Sequence, residues 1–284
     1  MADYKDIFTE VDGEFKLYDV QSIGEKLGVT IRTSQGHKYA FIINDFRPYF
    51  YVPNQEIPYH LPFIELNRCR KVECRHPAEV KSEREKYRYT YEADILYDFR
   101  FHFDILLNFR ENPDIKPRIW FFDIEVYNKY ESSFPKPNEF DKFINSIAIY
   151  DSYSDKFLTL VVAPNGQDCG KLVDGNRTII KVKSEELLLK FFIGLLNKVE
   201  PDLIVGWNTI LFDIPFLVER LKLRYPDLYK QLSPFGIEPR KHFNMVFNSD
   251  EYEIPGYISL DYMLLYKKFG AKLGSYSLES VCQH

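Results

Sequence analysis

The stretch Arg118-Ile119-Trp120-Phe121-Phe122-Asp123-Ile124-Glu125-Val126 constrains the fold more than any other part of the chain. It is apolar and β-prone except for two acids, and side chains two apart on a strand share a face. Asp123 and Glu125 therefore project together, while Phe122, Ile124 and Val126 point the other way. Two adjacent carboxylates inside an apolar strand are costly to bury. A divalent cation neutralises both, and hard oxygen ligands favour Mg²⁺ or Mn²⁺. The plain alternative is an edge strand that turns both acids to water, but the flanking Ile119-Trp120-Phe121-Phe122 run suits an exposed edge poorly.

The surrounding rhythm is that of an α/β unit. Residues 144–150 and 157–162 read as strands separated by the turn Asp151-Ser152-Tyr153-Ser154-Asp155. Ser184-Glu185-Glu186 starts a helix, with a hydroxyl cap and acids in its first turn. Its apolar stripe is Leu188, Phe191, Phe192, Leu195, Leu196 and Val199. Pro201-Asp202 stops it, 203–207 is a short buried strand, and Ile214-Pro215 opens a helix burying Phe216, Leu217, Leu221 and Leu223. Asp213 falls between that strand and that helix, where loops of α/β domains reach a common site. Taken alone, an Asp before a helix is most often a cap. Beside the acid pair it is the third carboxylate, from a separate element, that a two-metal phosphodiester hydrolase needs.

Residues 1–115 read instead as short strands with turns between them, a β-rich barrel or sandwich with a helical excursion near 79–86. In this part Phe99, Phe101 and Phe103 alternate with Arg100 and His102. Asn112-Pro113-Asp114-Ile115-Lys116-Pro117 breaks any regular element, which places a boundary between a β-rich domain, 1–115, and an α/β domain, 116–284. The 284 residues include 24 Phe and 21 Tyr, enough for large cores or stacking surfaces. The net charge of −5 argues weakly against nucleic acid, yet 68–88 holds eight Lys or Arg against four Glu. With Tyr87, Tyr89 and Tyr91 alternating there, that stretch suits a phosphate backbone and a solvated loop equally. Cys69, Cys74 and His76 lack a fourth ligand at a recognised zinc spacing, and reduced thiols are expected throughout. No apolar run approaches the ~18 residues of a membrane span, and the polar start has no signal segment, so no membrane partner and a cytoplasmic location are expected.

Phe122-Asp123-Ile124-Glu125 followed by Asn208-x-x-x-Phe212-Asp213 resembles, in order and spacing, the first and second motifs of the 3′–5′ proofreading exonuclease of family B DNA polymerases. Tyr91-Glu92-Ala93-Asp94 looks like the family's segment before that domain. Ile258-Ser259-Leu260-Asp261-Tyr262 and Ser275-Tyr276-Ser277-Leu278 are similar to T-even bacteriophage and archaeal members. The resemblance runs from about residue 91 to the end. It implies an RNase H-like domain, a mixed sheet with flanking helices, preceded by a β-rich N-terminal domain. It also implies that Asp123 binds both metals, Glu125 the metal that activates water, and Asp213 the other. Asn208 and Phe212 would position the 3′-terminal nucleotide, Asp261 would be a structural helix-start residue, and 240–256 a hairpin turning at Asn248-Ser249-Asp250. The implied partners are a single-stranded 3′ end and primer-template DNA, in a viral host's cytoplasm if the enzyme is viral.

The family's third exonuclease motif, a Tyr and an Asp four residues apart, and its polymerase signatures are missing from the sequence. The expectation is an amino-terminal piece or split-gene half of a DNA-directed DNA polymerase, with little nuclease activity alone and the remaining polymerase portion as partner. Two other readings stand beside it. One is a non-catalytic module that binds single-stranded DNA or a replication partner. The other is a self-sufficient exonuclease whose fourth acid is Asp261.

Overall fold

The computed structural model describes residues 4–57, 59–62, 64–109, 111–128, 135–139, 141–164, 167–245 and 248–284. They pack as two compact units, Met1–Ile115 and Lys116–His284.

The first unit opens with a helix, α1 (Tyr4–Thr9), and an antiparallel meander, β1 (Phe15–Ile23), β2 (Lys26–Thr33) and β3 (Lys38–Ile43). A second, two-stranded antiparallel sheet joins β4 (Tyr49–Pro53) to β5 (Cys69–Glu73). Helices α2 (Glu79–Arg84) and α3 (Tyr97–Asn108) follow. The unit is β-rich, and its described strands form two separate small sheets rather than one closed barrel. The meander buries its apolar face under helices, with Phe8 from α1 and Tyr97, Phe101 and Ile105 from α3 against Leu17, Val29 and Ile31. The aromatic alternation at 99–103 is helical, not extended. Tyr97, Phe101 and Ile105, four apart, form the buried stripe, and Phe99 and Phe103 are exposed. The basic-aromatic stretch is laid out as pairs, with Arg70 over the ring of Tyr87 and Arg88 over that of Tyr89. The cysteines are free thiols.

The second unit is the mixed α/β arrangement expected of the sequence. Its strands are β6 (Ile119–Val126), β7 (Ile144–Asp151), β8 (Lys156–Val162), β9 (Gly170–Asp174) and β10 (Arg177–Val182). After them come α4 (Glu185–Val199), β11 (Leu203–Gly206), α5 (Asp213–Arg224) and the short α6 (Pro226–Tyr229). The chain goes on through β12 (Arg240–Asn244), β13 (Ser249–Glu253), β14 (Ile258–Asp261), α7 (Tyr262–Phe269) and α8 (Leu278–Cys282). Seven strands make one sheet in the order β14-β11-β6-β7-β8-β10-β9. Strands β6, β7 and β8 are antiparallel neighbours, β11 lies parallel to β6, and β14 parallel to β11. Strands β9 and β10 escaped the sequence reading, because exposed Leu172, Val173 and Ile179 blur their alternation. The separate β12–β13 hairpin turns between Asn244 and Ser249, so Asn248 (φ +50°) belongs to the turn while Ser249 and Asp250 are already strand. Val246, placed on a flank of that turn from the sequence, lies outside the described residues.

Helix α4 starts where its cap predicts, with the Ser184 hydroxyl accepting the amide of Leu187 at 3.3 Å. Its stripe is rotated from the expected one: Leu188, Leu189, Phe192, Ile193 and Leu196 are buried and Phe191 is exposed. On α5, Ile214, Phe216, Leu217, Val218 and Leu221 are buried, and Leu223 is exposed. Both helices cover the sheet face carrying Trp120, Phe122, Ile124 and Ile147.

A buried ion pair ties these helices to the sheet. Arg220 Nε and Nη2 donate to the two Glu185 oxygens at 2.9 Å each, and Arg220 Nη1 reaches the carbonyls of Pro137 and Glu139. Glu185 also accepts the Ile144 amide at 2.8 Å and the Tyr225 hydroxyl at 2.9 Å. Removing one member strands a buried charge, a loss of about 3–5 kcal/mol. Arg220→Ala and Glu185→Ala are each expected to lose about that much in urea unfolding, and the double variant clearly less than their sum. Strict additivity would contradict the pairing.

Candidate active site

Strand β6 is an interior strand, flanked by β11 and β7, so the two acids are not edge residues. Its alternation holds throughout. Trp120, Phe122 and Ile124 are buried, and Phe121, Asp123 and Glu125 are exposed on the opposite face. The carboxylates are therefore not sealed in a core, as their apolar setting suggested. The cost falls on Asp123, whose carboxyl is pushed up by partial desolvation and by the neighbouring charge of Glu125.

Strand β11 pairs with β6 only as far as Phe121 and ends at Gly206. A Cβ at Gly206 would stand 2.5 Å from the Phe122 carbonyl and 2.2 Å from Thr209 Oγ1, so glycine alone lets the chain leave the sheet this close to β6. The loop then passes through Asn208 in the left-handed region, φ +65°, to buried Thr209 and to Asp213 at the start of α5. Asp213 Oδ1 accepts the Ile124 amide at 2.9 Å, and Oδ2 accepts the Thr209 hydroxyl at 3.2 Å. The Ile124 amide lies beyond the pairing with β11, so Asp213 takes the place of a neighbouring strand there. This contact binds the helix-start acid to the backbone between Asp123 and Glu125. Burial pushes the Asp213 pKa up to about 6; the Ile124 hydrogen bond opposes the rise and the charge of Asp123 adds to it.

Asp261 holds the same loop from the other side. Its Oδ1 accepts the amides of Met263, Leu264 and Asn208, and its Oδ2 the amide of Ile210. Buried and committed to four backbone donors, it is a helix cap and loop clamp, not a spare acid. Phe212 packs on Phe216 and lines a cavity of about 190 Å³ with Leu211 and Pro215. A different cavity, of about 440 Å³, holds Asp123, Gly206, Trp207 and Tyr262. Neither Gly206 nor Thr209 was singled out from the sequence. Both carried a readable signal, a glycine at a strand end and a hydroxyl four residues before the acid.

Asp123 thus repels both Glu125 and Asp213, as crowded carboxylates do without a cation. In donor type this set fits a hard divalent ion. In position it is two coupled pairs sharing Asp123: among the described residues, no group of three or more His, Cys, Asp and Glu is placed to hold a metal. Both Asp213 oxygens face Ile124 and Thr209, which accounts for the open arrangement.

Residues 53–281 match the exonuclease domain of DNA polymerase family B. The chain is 29% identical over 202 residues to the DNA-directed DNA polymerase of Enterobacteria phage T4, covering 69% of this chain and 22% of that protein. It is 30% identical over 191 residues to the polymerase of Escherichia phage RB69, covering 59% and 21%. A polymerase delta catalytic subunit from Dictyostelium discoideum is 30% identical over 177 residues, covering 59% and 15%. The matched part is thus about a fifth or less of each relative's length.

The raised pKa of Asp213 has a signed consequence. The folded value, about 6, lies above the ~3.9 of an unfolded Asp, so the ionised form costs the fold about 3 kcal/mol above pH 6. That cost is relieved as pH falls from 6 towards 4. In EDTA, Asp213→Asn keeps both hydrogen-bond positions without the charge. Urea unfolding is expected to show it more stable than wild type by about 1–3 kcal/mol at pH 7.5, with a flatter profile between pH 4 and 6. A less stable variant at pH 7.5 would contradict the assignment.

Proposed function

The chain belongs to the family B DNA polymerases, in their exonuclease domain, and from that premise we propose that residues 116–284 bind the 3′ end of a DNA strand and remove its terminal nucleotide by hydrolysis. Exonuclease domains of this family are metal-dependent nucleases that act on DNA. The observation that carries the residue-level proposal is the bond from the Ile124 amide to Asp213, which brings the helix-start acid beside Asp123 and Glu125.

Asp123, Glu125 and Asp213 are the residues that would hold Mg²⁺ or Mn²⁺. Two such ions would supply charge neutralisation, an activated water and stabilisation of the leaving oxygen. The chain's own groups do the positioning. Thr209 and the Ile124 amide fix the Asp213 carboxylate. Asp261 fixes the loop carrying Asn208, which we assign, with Phe212, to the 3′-terminal nucleotide. Residues 1–115 are assigned to the family's N-terminal domain. The whole protein would be a DNA-directed DNA polymerase that extends a primer and excises mismatched ends, with its remaining portion completing the site. The self-sufficient reading loses its acid, since Asp261 is occupied by four amides. A module that binds single strands without turnover is the second reading, favoured by the lack of a three-carboxylate group among the described residues.

The test is degradation of a 5′-labelled single strand with Mn²⁺, by the chain alone and with the polypeptide that carries the rest of a family B polymerase. Shortening from the 3′ end, stronger in the presence of the second polypeptide and reduced more than about a hundredfold by Asp123→Ala, is expected. Equal activity in Asp123→Ala, or tight metal-independent binding with no shortening in any combination, would overturn the nuclease reading.

A further inference from the structure

Helix α3 is apolar on two faces, and the first unit uses only one of them. Tyr97, Phe101 and Ile105 are buried under the meander. Leu96 at the cap, then Phe99, Phe103, Leu106 and Leu107, are exposed on the opposite side. Successive spacings of three, four and three residues, with Leu107 beside Leu106, draw one outward stripe of the kind that seats against a second helix. Phe99 is 58% exposed, Phe103 48% and Leu107 82%. A helix apolar all round belongs in an interior, and a contiguous patch of large apolar side chains marks a surface that another element covers. The shoulders of the stripe describe that element. Asp98 and Asp104 flank it, half-buried, and both bond neutral donors: Asp98 accepts the Phe99 amide and Asp104 the Tyr49 hydroxyl. Arg100, the helix's single arginine or lysine, is buried and donates to Glu92. An occupant with an apolar stripe and Lys or Arg on its shoulders complements this face. A second copy would return the same two acids, with His102 as their only basic neighbour left on the helix.

We propose that α3 is the seat of an amphipathic, basic-shouldered helix from the portion of the polymerase that this sequence does not include, an inference that rests on the polymerase reading above. Residues 53–281, α3 among them, match the family, and about four-fifths of the T4 and RB69 polymerases lies outside the region matched. A protein of that size has ample chain to cover the stripe. A single pair of three-turn helices falls short of the ~1,200 Å² that stable dimers bury. A helix held by a linker, or by further contacts of a large partner, needs no such area, because its effective concentration is already high. The seat gives the missing portion a hold on the first unit that is separate from the carboxylates of the second.

The test uses the 284-residue chain with Phe99→Asp and Phe103→Asp combined. Sedimentation of wild type alone is expected to give a monomer of 33.8 kDa; a dimer that the double variant abolishes would assign the stripe to a second copy and overturn the proposal. A fluorescent two-heptad peptide with Leu at its a and d positions and Lys on its shoulders should bind wild type about tenfold more tightly than its Glu-shouldered counterpart. The double variant should lose that binding, and Leu172→Asp, at an exposed position on β9, should keep it. Equal binding of the two peptides, or full binding by the double variant, would overturn the seat. In the shortening assay above, the stimulation given by the second polypeptide should fall about tenfold in the double variant, with the chain's own activity unchanged. Unchanged stimulation would overturn the seat and leave the polymerase reading standing, and no stimulation of wild type would overturn both. Melting temperatures of the variants are expected to match wild type, since these positions are exposed. If the double variant unfolds, Leu107→Lys, at the most exposed position of the stripe, carries the same comparisons.

Discussion

Everything at the site depends on one hydrogen bond, from the Ile124 amide to the Asp213 carboxylate. Strand β6 runs past the end of β11, and an interior strand that loses its neighbour has amides that still need acceptors. A carboxylate supplied by the start of α5 meets that need, and in doing so brings a third acid to the two that β6 already displays. Gly206 permits the close departure, Thr209 orients the acid, and Asp261 gathers the loop amides from the far side. The result is a buried carboxylate fixed by the Ile124 amide and the Thr209 hydroxyl.

The arrangement is electrostatically uncomfortable. Burial lifts the Asp213 pKa to about 6 although its hydrogen bonds favour the ionised form, and burial together with the charge of Glu125 pushes Asp123 up. Elsewhere the same unit resolves its buried charges: Glu185 meets Arg220, and Arg118 meets Asp151 through two hydrogen bonds. Asp123 instead stands beside like charges, which is what makes this cluster the candidate for the cation proposed above.

Much of this was legible in the sequence, for definite reasons. Strand β6 declared itself because period-two alternation survives the insertion of two acids, and Asp213 because its strand and helix are both strongly apolar. The Ser184 cap and the proline in the first turn of α5 fixed helix starts. What failed were ambiguous periods. Phe99, Phe101 and Phe103 satisfy a two-residue alternation, yet the four-residue series Tyr97, Phe101 and Ile105 won because a sheet lay ready to receive it. The α4 stripe was off by one position, since Leu187 through Phe192 offers apolar residues on nearly every side. Long-range links such as the Asp261 clamp had no local signal: Asp261 was readable as a helix-start residue, but nothing about it foretells the Asn208 and Ile210 amides of a distant loop.

The central claim is that Asp123, Glu125 and Asp213 act as one cation site and not as three neighbouring acids. Unfolding free energy with and without Mn²⁺, at about a hundred times its dissociation constant, measures this most directly. Wild type is expected to gain about 2.7 kcal/mol, while Asp123→Asn, Glu125→Gln and Asp213→Asn each lose most of that gain. An equal gain in Asp213→Asn and wild type would show that the helix-start acid takes no part, and the account would fail there.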